Sequence, residues 1–265
     1  MIYENRSARL ADANLIEAIR EHGRWQQGSE CVEEGGVLLL AGSNAAPLAF
    51  RNCAARIDPR VKASEAIGQA RDFFARHGRG FTLIARGALD GDIEETLRTA
   101  GVPEAGAAPC MLLEAPLGEV SLPAGVTVER FAEARHVNDA VRLNERAYET
   151  LKLPAEQTRM FFNLPQQLLS PRVVGFVAYR DGRAVSTALT ILSGESAGVY
   201  WVGTHADAQR GGLGALCTRL AANSGFSAGA RVVTLQASPF GLPLYERLGF
   251  RKYDLMRRFR HPPHG

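Results

Sequence analysis

Cysteine is scarce in this sequence and tryptophan scarcer still, with four and two residues among 265. The cysteines form no CxxC motif and no Cys/His cluster, and stand at Cys31, Cys53, Cys110 and Cys217. This spacing argues against a disulfide framework and a zinc site, so we expect reduced thiols, no metal and a cytoplasmic protein. Cys217 falls inside a predicted helix, where a small core residue is a simpler expectation than a nucleophile.

Long apolar runs and a strong charge of either sign are also missing. No run approaches the ~20 residues that a membrane span needs, and the start of the chain has acids but no apolar core, unlike a signal peptide. The net charge of +3 is too small to indicate nucleic-acid binding. With 46% hydrophobic and 22% charged residues, the composition fits a soluble globular protein. We expect a monomer or homodimer that contacts neither nucleic acid nor a membrane.

The most informative stretch alternates strand and helix patterns around a glycine-rich turn. Its apolar periodicity predicts a strand, a helix and a second strand at Val199–Thr204, Leu213–Phe226 and Val232–Ala237. The turn contains Gly211, Gly212 and Gly214, which let the backbone approach a ligand closely. Unpaired N–H groups at the start of the following helix suit a pyrophosphate. Taken alone, the same glycines equally fit tight packing of a strand against a helix.

Two motifs in this stretch, in order and at the right spacing, favour ligand binding over simple packing as the reason for the glycine turn. The segment Gln209–Gly214 reads QRGGLG and fits Arg/Gln-x-x-Gly-x-Gly/Ala, and Leu244–Phe250 reads LYERLGF and fits LYxxxGF. Together they resemble the GNAT superfamily of acyl-CoA-dependent N-acetyltransferases. The resemblance implies an α/β (α+β) fold with a mixed central sheet flanked by helices. It also implies an enzyme that transfers acetyl from acetyl-CoA directly to a primary amine of a small molecule or peptide in a ternary complex.

The same resemblance implies which residues hold the cosubstrate. Main-chain groups at the strand end and in the turn would bind acetyl-CoA, at Val202, Gly203, Thr204, Gln209, Arg210, Gly211, Gly212, Leu213, Gly214 and Ala215. Many relatives carry an Asn just after the second strand, and only Ser238 can replace it here. The phenol of Tyr245 would protonate the departing thiolate as a general acid, although a tyrosine in a short helix is ordinarily a core residue.

The general base and the acceptor site stay open at this level. The strand before the turn lacks the Glu that many relatives place there, which leaves Glu145, Glu195 and His205 as candidates and Gln236 as a residue that could orient water. Acceptor specificity would come from the region between Ala147 and Leu169, with aromatic residues that line a pocket or simply form core: Tyr148, Phe161, Phe162 and Trp201. A non-catalytic acyl-CoA sensor is the alternative function.

The N-terminal part of the chain repeats the same order of elements without the motifs. Where the glycine turn would stand, Ile57–Ala63 contains no glycine, and Leu97 occupies the place of Tyr245. We therefore predict a tandem arrangement: a degenerate, non-catalytic GNAT-like domain at residues 1–117 that does not bind CoA, a linker at 118–125 and a catalytic domain at 126–260.

Overall fold

The computed structural model describes residues 5–119 and 121–263. Residues 1–4 of the predicted N-terminal domain, Val120 of the predicted linker and the last two residues of the C-terminal tail lie outside the described residues.

The N-terminal half contains three helices and five strands within its described residues. They are α1 (Arg6–Arg24), β1 (Glu30–Glu34), β2 (Val37–Ala41), β3 (Asn52–Arg56), α2 (Ala63–Arg76), β4 (Phe81–Arg86), α3 (Gly91–Thr99) and β5 (Glu104–Leu113). Strands β2, β3 and β4 are buried along their whole length. They therefore occupy the interior of a sheet that is covered on both faces.

The C-terminal half carries the strand–turn–helix unit. Its elements are β6 (Val126–Arg130), α4 (Ala134–Ala147), α5 (Ala155–Arg159), β7 (Val173–Arg180), β8 (Arg183–Ser193), β9 (Ser196–Thr204), α6 (Leu213–Ser227), β10 (Val232–Gln236), α7 (Leu242–Arg247) and β11 (Arg251–His261). Short 3₁₀ turns at Tyr148–Leu151, Met160–Phe162 and Pro165–Leu169 connect α4 to β7.

One mixed sheet holds all eleven strands in the order β1-β2-β3-β4-β11-β5-β10-β9-β8-β7-β6. Parallel pairs occur at β3–β4 and at β9–β10, and each is joined by a helix, α2 or α6. Counted outward from the boundary between β11 and β5, strands β4, β3 and β2 occupy the same positions on one side as β10, β9 and β8 on the other, and β11 faces β5 across that boundary, so the sheet has a pseudo-two-fold arrangement. This symmetry agrees with the internal repeat predicted from the sequence.

The two halves exchange their last strands across the centre of the sheet. Strand β11 lies between β4 and β5, with Phe259 opposite Leu83 on one side and Met256 opposite Ala108 on the other. Strand β5 in turn lies between β11 and β10, with Met111 opposite Leu235. Each half therefore depends on a strand from the other for part of its hydrogen bonding.

Helix α1 belongs to the N-terminal half by sequence, yet it lies across β8, β9 and β10. Its apolar positions repeat at helical spacing, and Leu15 and Ile19 are fully buried. On the same helix, the Asn14 side chain donates to the Ile191 carbonyl at 3.0 Å and accepts from the Tyr200 hydroxyl at 3.0 Å. The N-terminal half thus covers one face of the strands that the sequence assigns to catalysis.

Helix α4 ends at Ala147 and the chain continues as a 3₁₀ turn, after which Lys152 adopts a left-handed φ of 62°. Strand β1 was not predicted, because it is a mostly exposed edge strand whose acidic residues show no apolar alternation. Across the described part of the chain, no helix is long and apolar enough to cross a membrane.

Candidate active site

Strands β9 and β10 run together for only three residue pairs. Their parallel ladder ends at the pair Gly198 and Thr234, and among the described residues the rest of β9 pairs only with β8. Val202, Gly203 and Thr204 therefore lie in the part of β9 that has separated from β10. Parting strands leave a cleft with backbone polar groups along its edge, which is where an extended ligand arm can pair with the main chain.

The glycine turn joins the open end of β9 to α6. Arg210 and Gly212 both adopt left-handed conformations, with φ of 62° and 75°, and Gly212 caps the helix. The first bond of the helix is donated by Leu216 N–H to the Gly212 carbonyl at 2.9 Å. Among the described residues, the N–H groups from Arg210 to Ala215 find no acceptor. They form a positive helix terminus that is open to an anion.

Close packing brings the turn against both β9 and α7. A Cβ at Gly214 would lie 3.1 Å from Thr204 Oγ1 and 3.7 Å from a methyl carbon of Leu244, so the position accepts only a very small residue. A second guanidinium, which sequence reasoning missed, stands at the end of β7: Arg180 Nη2 lies 3.9 Å from where a Gly211 Cβ would be. Arg180 and Arg210 together place positive charge beside the turn.

Tyr245 lies on α7, on the face of the sheet that packs against α6. It is 8% exposed and contacts the Phe250 ring edge-on at 5.8 Å between centroids. Within the described ranges its hydroxyl has no protein partner, and it is not among the fully enclosed polar atoms. Burial raises the pKa of Tyr245 above its ordinary value. The phenol therefore stays protonated and its oxygen remains accessible, as a proton donor requires.

Ser238 has a structural task in addition to any ligand contact. Its hydroxyl oxygen accepts from Gly241 N–H at 3.1 Å, and its carbonyl accepts from Gly241 and Leu242 N–H at 3.0 and 2.9 Å. These bonds close the turn that starts α7 and so set the position of Tyr245. The hydroxyl hydrogen of Ser238 is left to donate.

A β-bulge interrupts β9 just before the predicted pantetheine-binding residues. Tyr200 faces Leu189 and Gly203 faces Thr187, so Trp201 and Val202 together oppose the single residue Ala188. Trp201 adopts a φ of 53°, which is a true outlier for a bulky side chain. Asn144 Nδ2 donates to the Trp201 carbonyl at 3.3 Å.

His22 of α1 holds the Trp201 indole from the N-terminal half. Its Nδ1 lies 2.6 Å from the Ala18 carbonyl, which can only accept, so Nδ1 carries the hydrogen. Nε2 is then free to accept from the Trp201 indole N–H at 2.8 Å. Burial lowers the pKa of His22 to about 4, which keeps the ring neutral at physiological pH.

Because His22 is buried and neutral, we expect the unfolding free energy of the protein to fall as the pH drops from 6.5 to 4. In that window the unfolded chain binds a proton at residue 22 that the folded chain does not, so stability rises with pH and falls as pH drops. The shift from 6.5 to about 4 corresponds to a loss of about 3 kcal/mol of unfolding free energy. Urea unfolding at pH 7 and pH 4 measures it, and His22→Phe should flatten that part of the profile; an unchanged profile would contradict the assignment.

Each of the three candidate general bases is already paired with an arginine. Glu145 accepts two hydrogen bonds from Arg159 at 2.7 and 3.0 Å. Glu195 lies in the β8–β9 turn, at the opposite end of β9 from the glycines, and pairs with Arg6 at 2.8 Å. His205 Nε2 accepts from Arg183 at 2.6 Å. Because of these contacts, none of the three side chains is an unpaired base in the cleft.

The aromatic residues predicted for the acceptor side form one packed cluster. Phe161, Phe162 and Trp201 are buried, and the Trp201 ring lies 4.6 Å from that of Phe162 and 4.8 Å from that of Tyr148. Tyr148 is only partly buried; burial and the nearby Tyr245 phenol raise its pKa. Tyr148 packs against the cluster that contains Trp201, whereas Tyr245 belongs to the cluster that contains the buried residues of α6.

Comparison with known proteins fits this geometry. Residues 113–239 match the model of the acetyltransferase (GNAT) domain. This part of the chain is similar to GNAT acetyltransferase domains. The matched range includes the open end of β9, the glycine turn, α6 and β10, and it ends before α7 and Tyr245.

The proteins that resemble this chain include curated and structurally solved acetyltransferases. The chain is 33% identical over 165 residues to the mycothiol acetyltransferase of Thermomonospora curvata, in an alignment that covers 57% of this chain and 53% of that protein. The chain thus spans about half the length of this curated relative.

Among solved structures, a GCN5-related N-acetyltransferase from Kribbella flavida superposes with a TM-score of 0.76 at 25% identity, covering 98% of this chain and 97% of its own. A tandem GNAT protein from the clavulanic acid biosynthesis pathway gives 0.66 at 15% identity, covering 98% and 95%, and shows the fold alone. The mixed α/β fold extends over the N-terminal half in both comparisons.

Proposed function

We propose that this protein is an acetyl-CoA-dependent N-acetyltransferase. The donor diphosphate binds at the glycine turn, the pantetheine arm pairs with β9 at Val202–Thr204, and the acceptor is a primary amine of a small molecule or peptide. The observation that carries the proposal is the row of unpaired N–H groups from Arg210 to Ala215 beside the separated end of β9. Arg180 and Arg210 add charge-assisted contacts to the phosphates.

In the proposed reaction the amine nitrogen attacks the thioester carbon while both substrates are bound. The carbon–sulfur bond breaks, the acetyl group stays on nitrogen, and the thiolate takes the Tyr245 proton. Solvent then returns a proton to Tyr245. Because Glu145, Glu195 and His205 are already paired, we place the loss of the amine proton on water rather than on one of these side chains.

The N-terminal half is proposed to lack a second CoA site. At the place that corresponds to the glycine turn, the chain before α2 is glycine-free, and Glu65 Oε2 accepts from the Lys62 N–H at 3.4 Å. Asp58 accepts from the Arg60 N–H at 2.9 Å. Side-chain carboxylates thus already occupy N–H groups before this helix that a diphosphate would need. On this basis the residue ranges 1–117, 118–125 and 126–260 remain the proposed domains.

The test of function combines acetyl-CoA binding by calorimetry with thiol release in the presence of primary amines. Because the Thermomonospora curvata relative is named for mycothiol, small-molecule acceptors are the first to screen. Amine-dependent thiol release with formation of the amide supports the enzyme. Tight binding of acetyl-CoA without turnover on any amine would instead indicate the non-catalytic sensor.

Gly212→Asp should abolish acetyl-CoA binding while leaving the fold intact. The new carboxylate would stand at the helix terminus where the diphosphate is proposed to bind, and charge repulsion removes the contact. Gly101→Asp is the matched control, since both glycines have positive φ (75° and 69°) and both have open space around a Cβ. Both variants pay a similar backbone penalty, so calorimetry isolates the local charge. Equal affinity in the two variants would refute the placement.

A further inference from the structure

We propose that His22 is a positioning residue for the thioester arm of acetyl-CoA. Through its bond to the Trp201 indole, the non-catalytic half holds the β9 bulge in the shape that lets Val202–Thr204 pair with the arm. This inference rests on the proposed function and gives the N-terminal half a direct part in it.

The hydrogen bond between His22 and the Trp201 indole, called the tether below, has a fixed direction and is shielded from water. His22 is 1% exposed and Trp201 9% exposed, and the Nε2 to Nε1 distance is 2.8 Å. The bond from Nδ1 to the Ala18 carbonyl fixes the tautomer that can accept. The His22 ring also stacks on Phe50 at 4.5 Å and lies 4.4 Å from Trp25 between centroids, which fixes its plane.

The backbone that this tether holds is strained. A left-handed φ at tryptophan costs free energy and persists only where the surroundings determine it. Here three kinds of contact determine it: His22 on the indole N–H, Asn144 on the carbonyl, and the Phe162 and Tyr148 rings packed against the indole. The next residue, Val202, begins the stretch proposed to bind pantetheine. An error in the bulge would therefore displace that stretch directly.

Packing alone would not require this polar pair. A phenylalanine at each position would fill the cluster without burying an imidazole and an indole N–H away from water. A buried hydrogen bond instead fixes distance and direction, which is what a positioned backbone needs. The Asn144 amide contributes in the same way. A Cβ at residue 203 would lie 2.2 Å from the Asn144 Oδ1, so Gly203 is the residue that fits there.

Three variants separate positioning from stability: His22→Phe, Trp201→Phe and the double variant. Each single change leaves one buried polar atom without its partner, so each should lower the unfolding free energy. The double change removes both atoms and should regain much of that loss. If the tether positions β9, acetyl-CoA affinity should nevertheless fall by about tenfold in all three variants.

The control ligand is 3′-phosphoadenosine 5′-diphosphate, which carries the diphosphate of CoA without the pantetheine arm. Its affinity should be the same in the parent and in all variants, because it meets only the glycine turn. His22→Gln restores an acceptor oxygen and should recover part of the acetyl-CoA affinity. Calorimetry with both ligands, together with urea unfolding, gives every quantity needed.

The inference is overturned if acetyl-CoA affinity stays at the parent value in the variants, or recovers in the double variant together with stability. A parallel loss for the arm-less ligand would also overturn it, since that loss would reflect a general disturbance. Failure of the proposed function itself looks different: the unmodified protein would then bind neither ligand, or would bind acetyl-CoA without transferring acetyl to any amine.

Discussion

Replacing Tyr245 with phenylalanine should slow acetyl transfer by about 10²–10⁴-fold, the usual contribution of a positioned proton donor. The ring keeps its contact with Phe250, so packing should hardly change. Affinity for acetyl-CoA should stay nearly constant, because a bond to sulfur strengthens mainly as negative charge develops there. The measurement is the rate of thiol release with an amine acceptor, paired with calorimetry for acetyl-CoA.

Tyr179→Phe provides the matched control for this variant. Tyr179 is also 8% exposed, but it lies on β7 and its hydroxyl donates to Asp139 at 2.9 Å. Removing that hydroxyl should cost stability and leave the transfer rate unchanged. If Tyr245→Phe instead transfers acetyl at the parent rate and only melts at a lower temperature, Tyr245 is a core residue and water protonates the thiolate.

The parts of the site that could be predicted from the sequence are those that depend on residues close together in the chain. The helix after the turn was predicted at Leu213–Phe226 and runs over Leu213–Ser227, and the following strand agrees within one residue. Glycines at fixed spacing mark this turn because left-handed φ and close approach are local requirements. The short helix that bears Tyr245 was found for the same reason.

The parts that escaped prediction depend on contacts between distant residues. His22 and Trp201 are 179 positions apart, and neither belongs to a motif. The left-handed conformation at Trp201 carries no glycine signal, because tertiary contacts impose it against the local preference. The exchange of β5 and β11 was likewise hidden, since apolar alternation predicts a strand and its buried face but does not name its neighbours in a mixed sheet.

That exchange predicts that residues 118–263 will not form a stable domain when expressed alone. Without the N-terminal half, β11 loses both of its partners, β4 and β5, and β10 loses β5. The face of β8, β9 and β10 that α1 covers would be exposed as well. Folded domains are only marginally stable, so losing these strand pairings and the α1 contact should prevent stable folding. We therefore expect aggregation or a chain without a cooperative unfolding transition.

A nick in the linker tests the same idea with every strand still present. A protease site inserted between residues 118 and 125 should, after cleavage, leave two fragments that stay together on gel filtration, keep a cooperative transition and bind acetyl-CoA. The interlocked strands hold the halves together through the sheet, so the linker itself contributes little. A soluble fragment of residues 118–263 that unfolds cooperatively and binds acetyl-CoA would show that the C-terminal half is autonomous. In that case the N-terminal half could not be needed to position Trp201 for binding.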